Sequence, residues 1–197
     1  VVQRIVDPES MLELQPLYAR NVVCGLARLN GFSVGVIANN PMFGAGTLDP
    51  QACHKIIRLA TVCDSYNIPI IFLADVPGFM VGERVEHELM LHWGMRMMHA
   101  LQNCSAPTLT VCIRKAFGLA WQAMNGSQMP ALGVYSWPGA EIGFMDPEVG
   151  VNVAFGSKLA RIEDENAREA ERLELVREVG ESTNPYEAAG TMRIDEI

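Results

Sequence analysis

The chain has 197 residues and a formal net charge of −8, with 49% hydrophobic and 19% charged residues. These values predict a globular domain with a sizeable core and argue against a nucleic-acid partner. No apolar run approaches the roughly 18 residues of a membrane helix, so we predict neither a membrane span nor a membrane partner. Because the chain does not begin with Met and ends abruptly at Ile197, we expect it to be a piece of a longer polypeptide.

The first predicted elements are a strand pair. Residues 1–20 indicate an irregular lead-in, and two strands then follow over Val22–Leu29 and Phe32–Asn39. They flank Asn30-Gly31, and this dipeptide between apolar runs is the strongest short signal of a hairpin. Asn40–Leu48 is predicted to be a glycine-containing loop.

The next unit is a helix followed by a buried strand. Asp49-Pro50 supplies an N-cap and a first-turn proline for a helix that runs to about Tyr66. Ile68–Ala74 is continuously apolar, which is typical of a parallel strand buried on both faces. The loop Asp75–Arg84 follows the carboxyl end of that strand, the edge at which α/β sheets usually bind ligands.

A long helix is predicted over Glu86–Cys104. One stripe of it is apolar and rich in Met, which favours a core or an interface; it consists of Met90, Trp93, Met97 and Leu101. The opposite stripe is polar and consists of Glu88, His92, Arg96 and His99. An Arg among these residues argues against a cation site, so we predict a solvated or interfacial face and no metal.

The central stretch, Pro107–Met124, contains a strand, a turn and the start of a helix in close succession. Thr108–Ile113 is β-branched and apolar, Ala116-Phe117-Gly118 is a small-residue turn, and Leu119–Met124 favours helix. The first amides of a helix lack intrahelical partners, so this junction is a candidate oxyanion hole. The alternative is that Gly118 only turns the chain so that helix and strand can pack.

The remaining elements are short strands and helices. Val134–Trp137 and Glu141–Met145 are predicted strands, and Asp146-Pro147 caps a helical segment. Ser157 to about Gly180 alternates Glu and Arg, which predicts an exposed amphipathic helix of the kind that docks on a neighbouring subunit. A last short helix is predicted over Tyr186–Met192. No repeat or linker divides the chain, so a single domain over residues 1–197 is predicted.

The chain lacks the usual catalytic motifs. No serine lies in a nucleophile elbow, and no glycine-rich loop carries a phosphate-binding lysine. Glu141 is the one carboxylate in a strand-like context, where a paired or a catalytic role is equally open. The cysteines lie in apolar segments at no metal-ligand spacing, which indicates core residues in a reducing cytoplasm; they are Cys24, Cys53, Cys63, Cys104 and Cys112.

Six segments, in this order, carry a family resemblance: Tyr18–Asn21, Gly25–Leu29, Val34–Pro41, Asp75–Phe79, Arg114–Gly118 and Trp137–Glu141. They resemble the C-terminal half of the carboxyltransferase (β) subunit of biotin-dependent acyl-CoA carboxylases, such as the propionyl-CoA carboxylases. The resemblance covers nearly the whole chain. It implies an α/β fold of the crotonase (ClpP/crotonase) type, a β-β-α superhelix, with the N-terminal acyl-CoA-binding domain outside this chain.

The resemblance also implies a mechanism and a set of site residues. Biotin on a separate carrier delivers a carboxyl group to an acyl-CoA, and the freed biotin takes the α-proton. The amides of Leu119 and Ala120, after the turn at Gly118, would hold the ureido oxygen. The loop containing Pro77, Gly78, Phe79 and Gly82 would line the biotin pocket. The implied partners are a biotin carboxyl carrier, a biotin carboxylase and further copies of the subunit, as a dimer or hexamer.

Two departures from the family pattern bear on specificity. Well-known members have Gly where this chain has Leu119, and Asp where it has Gln122, which leaves the acyl chain open. His87-Glu88-Leu89 replaces a glycine-rich helix entry. A subunit of a biotin-dependent decarboxylase therefore stays an alternative, as does a non-catalytic assembly domain.

Overall fold

The computed structural model describes residues 1–197 as one seven-stranded sheet with helices. The strands are β1 Leu12–Glu13, β2 Val22–Leu29, β3 Phe32–Asn39, β4 Ile70–Val76, β5 Thr108–Phe117, β6 Gly133–Ser136 and β7 Glu141–Gly143. The helices are α1 Val2–Ile5, α2 Pro50–Ser65, α3 Glu83–His87, α4 Met90–Gln102, α5 Gly118–Ala123, α6 Pro147–Leu159, α7 Glu165–Glu181 and α8 Pro185–Gly190. A short 3-10 turn covers Gly44–Gly46.

The sheet is antiparallel on one side and parallel on the other. Strands β1 to β6 lie in sequence order, β1–β2–β3 pair antiparallel, and β3–β4–β5–β6 pair parallel. The short β7 also pairs parallel with β5, beyond the point where β6 ends. Strand β5 is therefore central, and its carboxyl end leads directly into α5.

Two apolar clusters hold the sheet in place. The larger lies between the sheet and the helices α2, α4 and α5, and includes Phe72, Ile56 and Met97. The smaller covers the opposite face of the sheet, where Val6 from the lead-in packs with Val36 of β3 and other residues. Helices α6 and α7 pack on each other around a separate small cluster.

The last residues of the chain bind β6, the outermost parallel strand. The Val134 N–H donates to the Asp195 carboxylate at 2.7 Å, and the Asp195 N–H donates to the Val134 carbonyl at 2.8 Å. The Ser136 N–H donates to the Glu196 carbonyl at 3.1 Å. The C-terminal segment thereby occupies the free edge of this strand.

The predicted hairpin and the helix after it are confirmed. Strands β2 and β3 have the predicted bounds, and Asp49 caps α2 by accepting from the Ala52 N–H at 2.7 Å. The lead-in is less irregular than predicted, because it contains α1 and β1. The strand predicted over Ile68–Ala74 begins and ends two residues later, so Asp75 belongs to β4 and not to the following loop.

The single helix predicted over Glu86–Cys104 is wrong. The chain forms α3 and α4 instead, separated at Leu89, whose φ of 63° is left-handed. In a continuous helix, Val85 and Met90 would point about 140° apart, because each residue advances the helix by about 100°. The break lets both side chains enter the large apolar cluster, where they are 2% and 5% exposed.

The C-terminal helices also differ in their bounds. The segment predicted as one helix from Ser157 to about Gly180 is divided, because α6 ends at Leu159 and α7 begins at Glu165. Asp164 caps α7 through the Asn166 N–H. The final helix begins at Pro185, one residue before the predicted start, with Asn184 as its cap.

Candidate functional site

The predicted strand-turn-helix junction lies at the carboxyl end of β5. Gly118 is the first residue of α5 and has a φ of +59°, a conformation that L side chains rarely adopt. A β-carbon on Gly118 would lie 3.0 Å from the carbonyl oxygen of Phe144. Both the backbone angle and the close approach therefore require glycine here.

The start of α5 leaves backbone donors unpaired within the helix. The N–H groups of Gly118, Leu119 and Ala120 have no helical carbonyl one turn before them, and the helix dipole adds partial positive charge there. Ala120 is 1% exposed, whereas Leu119 is 45% exposed. Adjacent amides of this kind can stabilise a developing oxyanion without any titratable side chain.

The predicted biotin loop is held by the segment before α2. The Leu48 N–H donates to the Gly78 carbonyl at 3.1 Å, and the Met80 N–H donates to the Leu48 carbonyl at 2.8 Å. Leu48 is fully buried, so these two hydrogen bonds anchor the loop to a residue of the core. The Phe79 ring packs on α4 at Gly94, where an added β-carbon would be 3.3 Å from the ring.

Phe79 and Leu119 line one apolar cleft of about 160 Å³. The structure thus brings together one residue from each of the two predicted site segments. The other predicted residues do not line the cleft, and they are Pro77, Gly78, Gly82, Gly118 and Ala120. Gly82, with a φ of +132°, is the N-cap of α3.

Sequence reasoning missed the wall of the cleft that helices α3 and α4 provide. Its further lining residues are Met80, Val81, Glu86, Met90, Leu91, Gly94 and Met95. The glycine within an otherwise bulky, Met-rich helix was the available signal, because Gly94 is where the Phe79 ring approaches the helix backbone.

The polar stripe of the predicted long helix does not converge on a common centre. Glu88 accepts from Arg84 at 2.8 Å, and the Arg96 guanidinium lies 5.2 Å from the centre of the Trp93 ring. His99 faces Asn103 on the last turn of α4. These contacts fit a surface face of the two helices.

A polar network joins β4 and β5 just before the junction. Arg114 Nε donates to both carboxylate oxygens of Asp75, at 3.1 Å each, and the Lys115 N–H donates to Asp75 Oδ1 at 3.3 Å. The Lys115 ammonium instead binds Asp146 at 2.6 Å. The contact between Asp75 and the basic pair was not predicted, since the residues are about forty positions apart in the chain.

Glu141 lies away from the apolar cleft. It pairs with Lys115 in the β5–β7 register and lines a separate polar cleft with Lys115, Asp146 and residues of α6 and α7. Its pairing with Lys115 is one of backbone register, because the Lys115 ammonium binds Asp146.

No cysteine of the chain is placed to act as a nucleophile. All five are free thiols, and four are buried. Burial raises the pKa of Cys112, on β5, to about 12, and that of Cys53 and Cys24 also to about 12. Such thiols are protonated near neutral pH, and the thiolate is the reactive form.

Comparison with known proteins identifies the architecture. Residues 1–197 match the carboxyl transferase domain family over their whole length. The chain belongs to this family. The carboxyl transferase domain has relatives that include the carboxyltransferase subunit of a propionyl-CoA carboxylase from Haloferax mediterranei, 39% identical over all 197 residues. Another is the methylmalonyl-CoA decarboxylase subunit alpha of Propionigenium modestum, 36% identical over the same residues.

A solved structure confirms the fold of this carboxyl transferase domain. The crystal structure of the transcarboxylase 12S hexamer, with methylmalonyl-coenzyme A and methylmalonic acid bound, superposes with a TM-score of 0.89 at 37% identity. The match covers 99% of this chain and 37% of that one, and the chain likewise spans 38% of each of the two relatives named above. The predicted crotonase-like α/β fold is therefore confirmed.

No helix of the chain combines the length and the apolarity that crossing a lipid bilayer would require.

Proposed function

We propose that this chain is the biotin-binding half of an acyl-CoA carboxyltransferase, which moves a carboxyl group from carboxybiotin to the α-carbon of a short acyl-CoA. The observation that carries the proposal is the junction at Gly118. The N–H groups of Leu119 and Ala120 lie in the first turn of α5, where they lack helical carbonyl partners, and Leu119 lines an apolar cleft together with Phe79. Membership of the carboxyl transferase domain family supports this assignment.

The donor set suits the chemistry of biotin. A ureido ring has one strongly polar oxygen on an otherwise largely apolar bicycle, and the site offers backbone donors next to an apolar wall. In the proposed mechanism, the amides of Leu119 and Ala120 hold the ureido oxygen as negative charge develops on it. Bound carboxybiotin supplies the transferable carboxyl group. Phe79 and Met90 exclude water from the site, which strengthens the hydrogen bonds of the amides.

Because backbone amides bind the oxyanion and carboxybiotin brings the carboxyl group, the mechanism requires no acid, base or nucleophile from the side chains at the junction. Backbone amides that stabilise a transition state more than a ground state accelerate the reaction without exchanging protons. Gly118, Leu119 and Ala120 therefore act through their backbones, and Pro77, Gly78, Phe79 and Gly82 shape the cofactor pocket.

The proposal requires further components. Acyl-CoA would be bound by an N-terminal domain of the full subunit, and biotin would arrive on a carboxyl carrier that a biotin carboxylase charges. The hexamer of the transcarboxylase 12S structure supports an oligomer of the full subunit here. Five free cysteines favour a reducing compartment such as the cytoplasm.

A decarboxylase subunit is the second candidate, because the decarboxylase relative has nearly the same identity as the carboxylase relative. Such a subunit would use the same amides to receive a carboxyl group on biotin. Assays in both directions, with propionyl-CoA and with a malonyl-type thioester, separate the two candidates.

The test of the proposed site is a pair of substitutions at Leu119 in the full-length subunit, assembled with its partners. Leu119→Pro removes the N–H, and the first turn of a helix tolerates proline. Leu119→Ala removes the side chain and keeps the N–H. We expect Leu119→Pro to lower kcat about 100-fold or more, as loss of one oxyanion donor does, and Leu119→Ala to retain most activity. Full activity in Leu119→Pro would overturn the site.

A further inference from the structure

The pairing of β4 with β5 contains a bulge just before the junction. Ala74 pairs with Cys112 and Val76 with Ala116, so Asp75 alone lies opposite the segment Ile113–Lys115. Before the bulge, β5 pairs with β6 through Leu109–Cys112; from the last residue of the bulge onwards, it pairs with β7 through Lys115–Phe117. Bulges of this kind bend a strand and redirect the residues that follow.

One carboxylate binds two residues of this bulge, Arg114 and Lys115. Asp75 accepts from Arg114 Nε with both oxygens, and from the Lys115 N–H with one of them. The Asp75 side chain is 12% exposed, whereas that of Arg114 is 53% exposed. The Asp75 N–H donates to Asn39 Oδ1 at 3.1 Å, which fixes the residue from the β3 side. Asp75 is thus the buried, fixed member of the ion pair.

Asp75 also joins the two segments of the site. It lies two residues before the loop that starts at Pro77, and the bulge that it binds ends three residues before Gly118. Asp75 itself does not line the cleft between Phe79 and Leu119. Any effect of its carboxylate on chemistry must therefore act through Arg114 and Lys115.

We propose that Asp75 is a positioning residue whose carboxylate holds the β5 bulge, so that the N–H groups of Leu119 and Ala120 face the Phe79 cleft. This inference rests on the proposed function. An error of about 1 Å in the placement of a reacting group can cost about 100-fold in rate. Loss of the Asp75 carboxylate can therefore lower the rate measurably although the carboxylate does not line the cleft.

The test is Asp75→Asn in the full-length subunit assembled with its partners. Asn keeps the shape of Asp but turns an NH₂ group towards N–H donors of the bulge. We expect kcat to fall about 100-fold and the affinity for a biotinyl peptide to fall about tenfold, with the KM for acyl-CoA changed less than about twofold.

The matched control is Asp146→Asn. It breaks the 2.6 Å ion pair of the neighbouring Lys115 side chain, and Asn can still cap α6. A loss of stability alone would affect both variants alike, whereas a positioning role affects kcat only in Asp75→Asn. If both variants lose the same activity, or Asp75→Asn loses none, the positioning role is wrong.

A second comparison uses Arg114→Met and the double variant. If Asp75 acts through Arg114, the double variant is no less active than Asp75→Asn, because both changes open the same clamp. Losses that multiply would overturn the inference. A wild-type subunit that neither binds the biotinyl peptide nor transfers carboxyl groups would instead refute the proposed function, so the two failures are distinguishable.

Discussion

Gly118 and Phe144 approach so closely that a β-carbon on Gly118 would lie 3.0 Å from the Phe144 carbonyl oxygen. Phe144 directly follows β7, and Gly118 directly follows β5, so the contact joins the ends of two paired strands. The direction of the first amides of α5 therefore depends on the backbone of the β7 end as well as on β5.

The first prediction concerns this contact. Gly118→Ala forces an L side chain into a left-handed conformation and against a carbonyl oxygen, so we expect the free energy of unfolding to fall by about 2 kcal/mol. Transfer activity should fall with it, because the amides of Leu119 and Ala120 shift. Urea unfolding and carboxyl transfer measure the two effects.

Gly139→Ala is the matched control for Gly118→Ala. An added β-carbon at Gly139 would contact nothing within 4 Å, and its φ is outside the left-handed region. We expect stability within about 0.5 kcal/mol of the wild type and unchanged activity. Equal losses in both variants would contradict the role assigned to Gly118.

The second prediction concerns the contact between α4 and the biotin loop. Gly94→Ala adds a β-carbon 3.3 Å from the Phe79 ring, so this ring, which lines the cleft, must shift by a few tenths of an ångström. We expect the affinity of the full-length subunit for a biotinyl peptide, measured by titration calorimetry, to fall about tenfold, which corresponds to about 1.4 kcal/mol.

Gly156→Ala, within α6, provides the comparison. An added β-carbon there has no neighbour within 4 Å. Replacing a helical glycine should therefore raise stability by up to about 1 kcal/mol without affecting biotin affinity. If Gly94→Ala shows the same gain and unaltered affinity, Phe79 does not form the wall of a biotin pocket.

The third prediction is a loss of stability at alkaline pH. Burial raises the pKa of the Cys24, Cys53 and Cys112 thiols from 9.0 to about 12. Above about pH 9 the unfolded chain releases these protons while the folded chain keeps them, so stability falls as pH rises towards 12. Each thiol lowers the free energy of unfolding by up to about 1.4 kcal/mol per pH unit in this range.

Lys55 acts in the opposite direction. Burial lowers its pKa from 10.5, so the unfolded chain holds the proton more tightly and this amine favours folding as pH rises towards that value. The gain in unfolding free energy from one amine is smaller than the loss from three thiols. The unfolding free energy should be measured at several pH values between about pH 9 and about pH 10.5. We expect its fall per pH unit to be smaller in Cys53→Ala than in the wild type, by up to the roughly 1.4 kcal/mol that one thiol contributes. An unchanged slope would show that burial of Cys53 does not hold its proton.

The local elements were predictable where backbone chemistry decides them. Asn30 and Gly31 have φ values of +49° and +84°, the pair of positive angles that a two-residue hairpin turn needs. Both strands flanking the turn were accordingly predicted to the residue. The turn at Gly118 was predictable for the same reason, because few residues other than glycine adopt its φ of +59°.

What escaped prediction depends on distant residues. Leu89 has no intrinsic preference for a left-handed conformation, and the helix breaks there because Val85 and Met90 both enter the core. The bulge opposite Asp75 is set by pairing between strands whose residues are far apart in sequence. The sequence indicated Phe79 and Leu119 as members of two separate site segments, but not that they line one cleft together with residues of α3 and α4.

The attachment of Asp195 and Glu196 to β6 has a consequence for how copies of this domain meet. An outermost strand normally offers a row of free N–H and carbonyl groups to which another chain can add a strand, and this is a common route to aggregation. At β6, the N–H groups of Val134 and Ser136 are already bound by the chain's own last residues. At those positions the sheet is therefore closed to extension by a neighbour.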